Sequence, residues 1–117
     1  MEMFKDFTFD AAHSLPHAPA GHKCARLHGH TYNVTVTLSG PVDDRFGWIM
    51  DFGELKALVS PVIDQLDHRH LNELPDLANP TSENIARWIW ERLTAISGLS
   101  AVTVRETCTA GVVYRGE

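Results

Sequence analysis

The stretch HGHTYNVTVTL, residues 28–38, alternates between two kinds of side chain. From Thr31 onward, polar residues occupy one parity and apolar residues occupy the other. Because successive side chains of a β-strand point to opposite faces, the alternation predicts a half-buried strand over about residues 29–39. His28 and His30 share the parity of the buried face, so their rings should project to the same side, spaced to hold one metal ion.

Similar patterns along the rest of the chain predict an α+β fold. The predicted elements are strands at 3–13 and 29–39, a short strand at 48–50, helices at 52–66 and after Pro80, and strands at 100–108 and 112–115. Asp51 suits a helix N-cap, whereas Pro61 falls inside the first helix and should kink or split it. Since strands and helices are segregated, we expect one domain, residues 1–117, with a four-stranded antiparallel sheet covered on one face by two helices.

Composition narrows the classes of function. The formal charge of −5 argues against a nucleic-acid binder, which would present a basic field. No apolar run approaches the ~20 residues of a membrane span, and the first residues lack the pattern of a signal peptide. We therefore expect a cytoplasmic protein, with its two cysteines reduced. A single sheet with an open face and two free edges suggests an oligomer that pairs those edges.

His13 completes a candidate metal site. It ends the first predicted strand on the apolar parity, as His28 and His30 begin the second strand on its buried parity. Three imidazoles without a fourth protein ligand are typical of a catalytic zinc site, which leaves one position for water or substrate. The alternative is that His13 is only a hydrogen-bonded histidine of the core.

Three further residues could carry chemistry. Cys24 lies between Lys23 and Arg26, whose positive charges favour a reactive thiolate; a fourth zinc ligand or a buried structural thiol are the alternatives. Asp67 and His68 form a carboxylate–imidazole couple that could move a proton, unless they are only a solvated helix end.

Glu106 is the last candidate site residue. It lies between Val104 and Cys108 on the inward parity of a predicted strand. A buried carboxylate needs a partner, which a ligand with paired N–H donors would provide, or else an arginine of the core.

Together these segments resemble the 6-pyruvoyltetrahydropterin synthase family, and most closely its bacterial, carboxy-forming branch. The resemblance covers almost the whole chain, and its motifs are AAH at 11–13, CARLHGH at 24–30, LDH at 66–68, PTSE at 80–83 and ETCTAG at 106–111. No single motif is specific, but the combination is.

The resemblance implies a fold, an assembly and a reaction. The fold would be the tunnelling fold (T-fold), in which subunits join their sheets into a barrel and a homo-hexamer forms from two stacked trimers, with active sites between subunits. The reaction, part of queuosine biosynthesis, would convert 7,8-dihydroneopterin triphosphate to 6-carboxy-5,6,7,8-tetrahydropterin, releasing acetaldehyde and triphosphate.

The resemblance also implies roles for individual residues. One Zn²⁺ per subunit would be bound by His13, His28 and His30. Cys24 would be the catalytic thiol, with Asp67 and His68 as its proton relay. Glu106 would bind the guanidine-like edge of the pterin, with Thr107 nearby. From their charge and position, we expect Lys23 and Arg26 to meet the triphosphate.

Other functions remain open at this stage. The pyruvoyl-forming and carboxy-forming branches share these motifs, so the motifs do not decide the product. A cupin-like metalloprotein would also place alternating histidines on a strand, and a zinc-binding or pterin-binding module without catalysis would need the same ligands but not the thiol.

Overall fold

The computed structural model describes residues 1–117 and contains four strands and two α-helices. In chain order they are β1 (Glu2–His13), β2 (His28–Ser39), α1 (Phe52–Asp64), α2 (Ser82–Leu93), β3 (Leu99–Arg105) and β4 (Gly111–Tyr114). The strands form one antiparallel sheet in the order β1-β2-β3-β4. The predicted four-stranded sheet with two helices is therefore confirmed, and this arrangement of few strands with two helices is not that of a cupin.

The long pairing of β1 with β2 positions the histidines. The register runs without a shift from Glu2 opposite Ser39 to His13 opposite His28, and it places Ala11 opposite His30. The alternation along β2 behaves as predicted, since its apolar side chains are completely buried: Tyr32, Val34, Val36 and Leu38. This face packs against both helices and forms the core, while the opposite face carries threonines and aspartates.

Both helices begin at residues whose side chains cap them. The Asp51 carboxylate accepts the N–H of Glu54 at 3.1 Å, and the Thr81 hydroxyl accepts the N–H of Asn84 at 3.2 Å. Of the two predicted effects of Pro61, a kink or a split, the split is wrong, because α1 continues through it to Asp64. Pro61 lies in the last turn, so its missing N–H removes only one late bond of the helix. Neither helix has the length and apolarity needed to cross a bilayer.

The predicted short strand at 48–50 is also wrong. The Asp43 carboxylate accepts the N–H groups of Arg45 and Phe46, and the Asp43 N–H donates to the carbonyl of Trp48 at 2.8 Å. These bonds fold the segment into turns and bends. Aspartate competes for local backbone donors in this way, which outweighs the weak strand preference of three apolar residues.

The third strand ends earlier than predicted, at Arg105 instead of residue 108. Arg105 pairs with Gly111, so the hairpin to β4 closes over residues 106–110. Glu106 and Thr107 consequently lie on this loop, directly beyond the end of the strand. The prediction that Glu106 lies on a strand is therefore wrong.

Candidate active site

Three histidine rings converge where β1 ends and β2 begins. The ring centroids are 4.5 Å apart for His13 and His28, 5.1 Å for His13 and His30, and 4.9 Å for His28 and His30. One ligand nitrogen from each ring lies within 4.8 Å of the others. The cluster could hold a metal ion, and Cys24 is not a member of it.

Backbone carbonyls orient two of these rings. The Nδ1 atom of His13 lies 2.7 Å from the carbonyl oxygen of Pro80, and the Nδ1 atom of His28 lies 2.7 Å from that of Arg26. A carbonyl only accepts hydrogen bonds, so each Nδ1 carries the proton and donates it. Each Nε2 is then left with a free lone pair, as a metal ligand requires.

Burial at the cluster favours the neutral form of His13 and leaves two ring nitrogens without a hydrogen-bond partner. His13 is completely buried, and this burial lowers its pKa below the usual 6.5. The Nε2 atoms of His13 and His30 are buried and have no hydrogen-bond partner. Because a buried acceptor without a partner is costly, this donor set fits a divalent metal ion that accepts imidazole ligands.

The Glu106 side chain reaches the cluster from its loop. Its carboxylate oxygens lie 4.0 Å from Nε2 of His13 and 3.8 Å from Nε2 of His30. Since burial favours neutral His13, we do not regard the first contact as an ion pair. No arginine forms a salt bridge with Glu106, so the core-arginine alternative fails. Glu106 and Thr107 instead line a cavity of about 350 Å³ beside the first turn of α2.

Cys24 lies in a short 3-10 turn, Lys23–Ala25, ahead of β2. Its N–H donates to Nδ1 of His22 at 3.1 Å, and its carbonyl accepts the N–H of Leu15 at 2.8 Å. The thiol is partly exposed and forms no hydrogen bond within the chain, while Lys23 and Arg26 are exposed. The backbone of this residue is thus fixed by hydrogen bonds, while its sulfur has no partner in the chain.

Asp67 and His68 do form a couple, at the outer edge of β1. The Asp67 carboxylate accepts the N–H of Asp10 at 3.0 Å and lies 3.0 Å from Nδ1 of His68. The Asp10 N–H, followed by His68, holds the pKa of Asp67 below its usual value. The chain after Asp67 stays on this edge of the sheet. The His68 N–H donates to the carbonyl of Asp10, and the Ala12 N–H donates to the carbonyl of Arg69.

The position of His68 is unusual in two respects. Its side chain is 78 % exposed, and its φ angle is +58°, in the left-handed region that non-glycine residues rarely occupy. It lines an open groove of about 650 Å³ that His30 also lines, and its ring pairs with Asp67. Within one chain, the thiol and the couple are not joined by a hydrogen bond.

Sequence reasoning missed one polar group beside the cluster. Tyr32 was expected only as an apolar core residue, yet its ring lies edge-on to those of His13 and His30, at 5.7 and 5.4 Å. Its buried hydroxyl has no partner, and burial raises its pKa. A tyrosine two positions beyond His30 on the buried parity was the available signal.

Residues 2–117 match the family model described as 6-pyruvoyl tetrahydropterin synthase. The chain belongs to this family. A 6-carboxy-5,6,7,8-tetrahydropterin synthase of Synechocystis is 41 % identical over 96 % of this chain and 91 % of the relative. A dihydroneopterin monophosphate aldolase of Pyrococcus furiosus is 44 % identical over 74 % of this chain and 68 % of the relative.

The fold agrees with that of a solved family member. The structure of 6-pyruvoyl tetrahydropterin synthase from Caenorhabditis elegans superposes with a TM-score of 0.89 and 32 % identity, covering 100 % of this chain and 96 % of the other. The predicted tunnelling-fold subunit is therefore confirmed. The family and the names of these relatives support a pterin-processing enzyme of the lyase type.

Proposed function

We propose that this protein converts 7,8-dihydroneopterin triphosphate and one water molecule to 6-carboxy-5,6,7,8-tetrahydropterin with release of acetaldehyde and triphosphate, in the cytoplasm, as a step of queuosine (7-deazapurine) biosynthesis. The observation that carries the proposal is the convergence of three imidazole nitrogens beside the carboxylate of Glu106. The near full-length similarity to a relative named for this product favours the carboxy-forming reaction.

We assign one zinc ion per subunit to Nε2 of His13 and the rings of His28 and His30. Zinc bound there would supply a Lewis acid for the hydroxyl groups of the substrate side chain. The protein's contribution is to hold two of the rings by their Nδ1 protons and to keep His13 neutral through burial. Both features preserve the lone pairs that bind the metal.

We assign pterin binding to the loop after β3. The two oxygens of Glu106 match two parallel N–H groups of the pterin ring, and a paired arrangement of this kind fixes orientation. Thr107 lies next to it in the same cavity. For the triphosphate, we propose Lys23 and Arg26, because both are exposed next to Cys24 and carry positive charge.

We assign proton transfer to Cys24 and to the Asp67–His68 couple. As a thiolate, Cys24 would accept a proton from the substrate side chain, and His68, held by Asp67 through Nδ1, would act as acid or base with Nε2. Moving hydrogen from the side chain to the ring reduces the ring internally, which requires no external reductant.

The location of the couple supports an assembly in which sites are shared. His68 lies exposed on the outer edge of β1, and residues 2–9 of that edge form no backbone bonds except to β2. Phe4 on this strand and Val113 on β4, the other edge, are 61 % and 45 % exposed. We propose that these edges pair between copies, giving a barrel and a homo-hexamer of two stacked trimers with active sites between subunits.

Formation of 6-pyruvoyl tetrahydropterin from the same substrate is the second candidate, favoured by the superposition with the Caenorhabditis enzyme. The test is incubation with dihydroneopterin triphosphate, then identification of the pterin by mass spectrometry and assay of acetaldehyde. Carboxytetrahydropterin with equimolar acetaldehyde is the expected result. A pyruvoyl product without acetaldehyde would establish the second candidate instead.

Replacing Cys24 by Ala distinguishes catalysis from binding alone. Turnover should collapse while zinc and pterin still bind. Cys108→Ala is the matched control, because that thiol is also free but exposed on the loop after β3, and its turnover should be unchanged. Unchanged turnover in Cys24→Ala would remove the thiol from the mechanism.

A further inference from the structure

The side chain of Asn72 forms three hydrogen bonds, all with backbone groups. Its Oδ1 accepts the N–H of Ser14 at 3.0 Å, while its Nδ2 donates to the carbonyl of Ser14 at 2.8 Å and to that of Ala78 at 3.3 Å. If the amide were reversed, its NH2 group would face the Ser14 N–H and its oxygen would face the two carbonyl oxygens. The hydrogen-bond partners therefore fix its orientation. The amide therefore satisfies both polar groups of the Ser14 backbone.

The two segments that Asn72 joins are those that place the ring of His13. Ser14 directly follows His13, at the point where β1 ends and the sheet no longer holds the chain. Ala78 precedes Pro80 by two residues, and the carbonyl of Pro80 accepts the Nδ1 proton of His13 at 2.7 Å. One side chain thus fixes the backbone that carries the ring and the segment that orients it.

Asn72 also continues the edge contacts of the proton-relay segment. Backbone bonds join Asp10 to His68 and Ala12 to Arg69, and the Asn72 amide forms the next contact, to Ser14. These contacts attach residues 68–72 to Asp10 and Ala12 of β1 and to Ser14 just beyond it. The couple and the metal ligand are held by one continuous set of hydrogen bonds.

We propose that Asn72 is a positioning residue for the metal ligand His13. The inference rests on the metal binding proposed above. It requires a side chain that is both donor and acceptor, because a carboxylate in the same place could accept from Ser14 but would face two carbonyl oxygens. Outer partners that orient metal ligands typically change affinity by about 10–100-fold when replaced.

The test is the zinc affinity of Asn72→Asp, measured by competition with a chelator on the folded zinc-free protein. Asn33→Asp is the matched control: Asn33 lies on the open face of the sheet, and its Oδ1 only accepts from Arg105 at 3.4 Å, a bond that aspartate retains. We expect zinc binding to weaken about 10–100-fold in the first variant and to change less than about twofold in the second.

A purely structural role would give a different result. It would lower the melting temperature of the zinc-free protein but leave the zinc affinity of the folded protein unchanged. If Asn72→Asp does not fold, Asn72→Ser also removes the amide donor contacts to the two carbonyls but adds no charge, and it should weaken zinc binding in the same direction. Variants that bind zinc like the wild type would overturn the inference, whereas a wild type that binds no zinc would overturn the proposed metal site itself.

Discussion

We expect His68 to be required for turnover although its backbone conformation lowers the stability of the fold. Its φ of +58° places an L-residue in the left-handed region, which costs roughly 1–2 kcal/mol. Glycine occupies this region freely but loses about 0.5–1 kcal/mol more backbone entropy on folding. The exposed contact to Asp67 adds little to stability. We therefore expect His68→Gly to stabilise the protein by about 0.5–1 kcal/mol while it abolishes turnover.

Urea denaturation of the zinc-free protein, at one fixed protein concentration, measures the first effect. For a urea m value near ~1.5 kcal/mol/M, the midpoint should rise by about 0.3–0.7 M. Asp76→Gly is the matched control, because Asp76 has a φ of +63° and belongs to no proposed site. Aspartate tolerates this region better than histidine, so its gain should be equal or smaller, and its turnover should be unchanged.

His68→Ala separates the two effects of the glycine variant. Alanine keeps the backbone strain and removes the imidazole, so turnover should be lost without any gain in stability. A His68→Gly protein that is less stable than the wild type would refute the strain argument. Full turnover in either variant would refute the role of His68 as a proton relay.

Three further predictions concern the histidine cluster and its surroundings. Metal analysis should find about one zinc per chain, and none when His13, His28 and His30 are all replaced; full occupancy in that variant would contradict the ligand assignment. Glu106→Gln should raise KM about 10–100-fold, since a bond to a charged group is worth about 1.5–3 kcal/mol, and zinc content should not change. The zinc-free protein should lose stability as the pH falls below 6.5, because unfolding lets His13 take up a proton that burial opposes in the fold. Above that pH the contribution is fully present, and His13→Asn should flatten this part of a stability–pH curve measured in urea.

The sequence predicts the sheet well because the sheet has one buried face. The alternation of β2 allows a single assignment of faces, since a shift by one residue would expose its apolar side chains and bury its threonines. Asp51 marks the start of the first helix by local chemistry that needs no tertiary contact. These signals lie within a few residues of what they determine.

The predictions that are wrong depend on residues outside the segment they concern. Three apolar residues at 48–50 resemble a strand, but the carboxylate of Asp43 determines the local path. The end of β3 depends on where β4 pairs, and Glu106 reaches the histidines from the loop that this pairing leaves. Periodicity within one segment contains neither piece of information.

The histidine cluster shows how much of the candidate site can be predicted from the sequence. His28 and His30 are visible as a pair because they share a strand, and His13 joins them because the β1–β2 register places it opposite His28. The free lone pairs, however, depend on the carbonyls of Pro80 and Arg26, and any residue can supply a carbonyl. Residue types therefore reveal the candidate ligands, whereas the ring orientation that would let them bind a metal depends on loop paths. A side chain such as Asn72, which fixes one of those paths, becomes recognisable only once the two segments it joins are seen together.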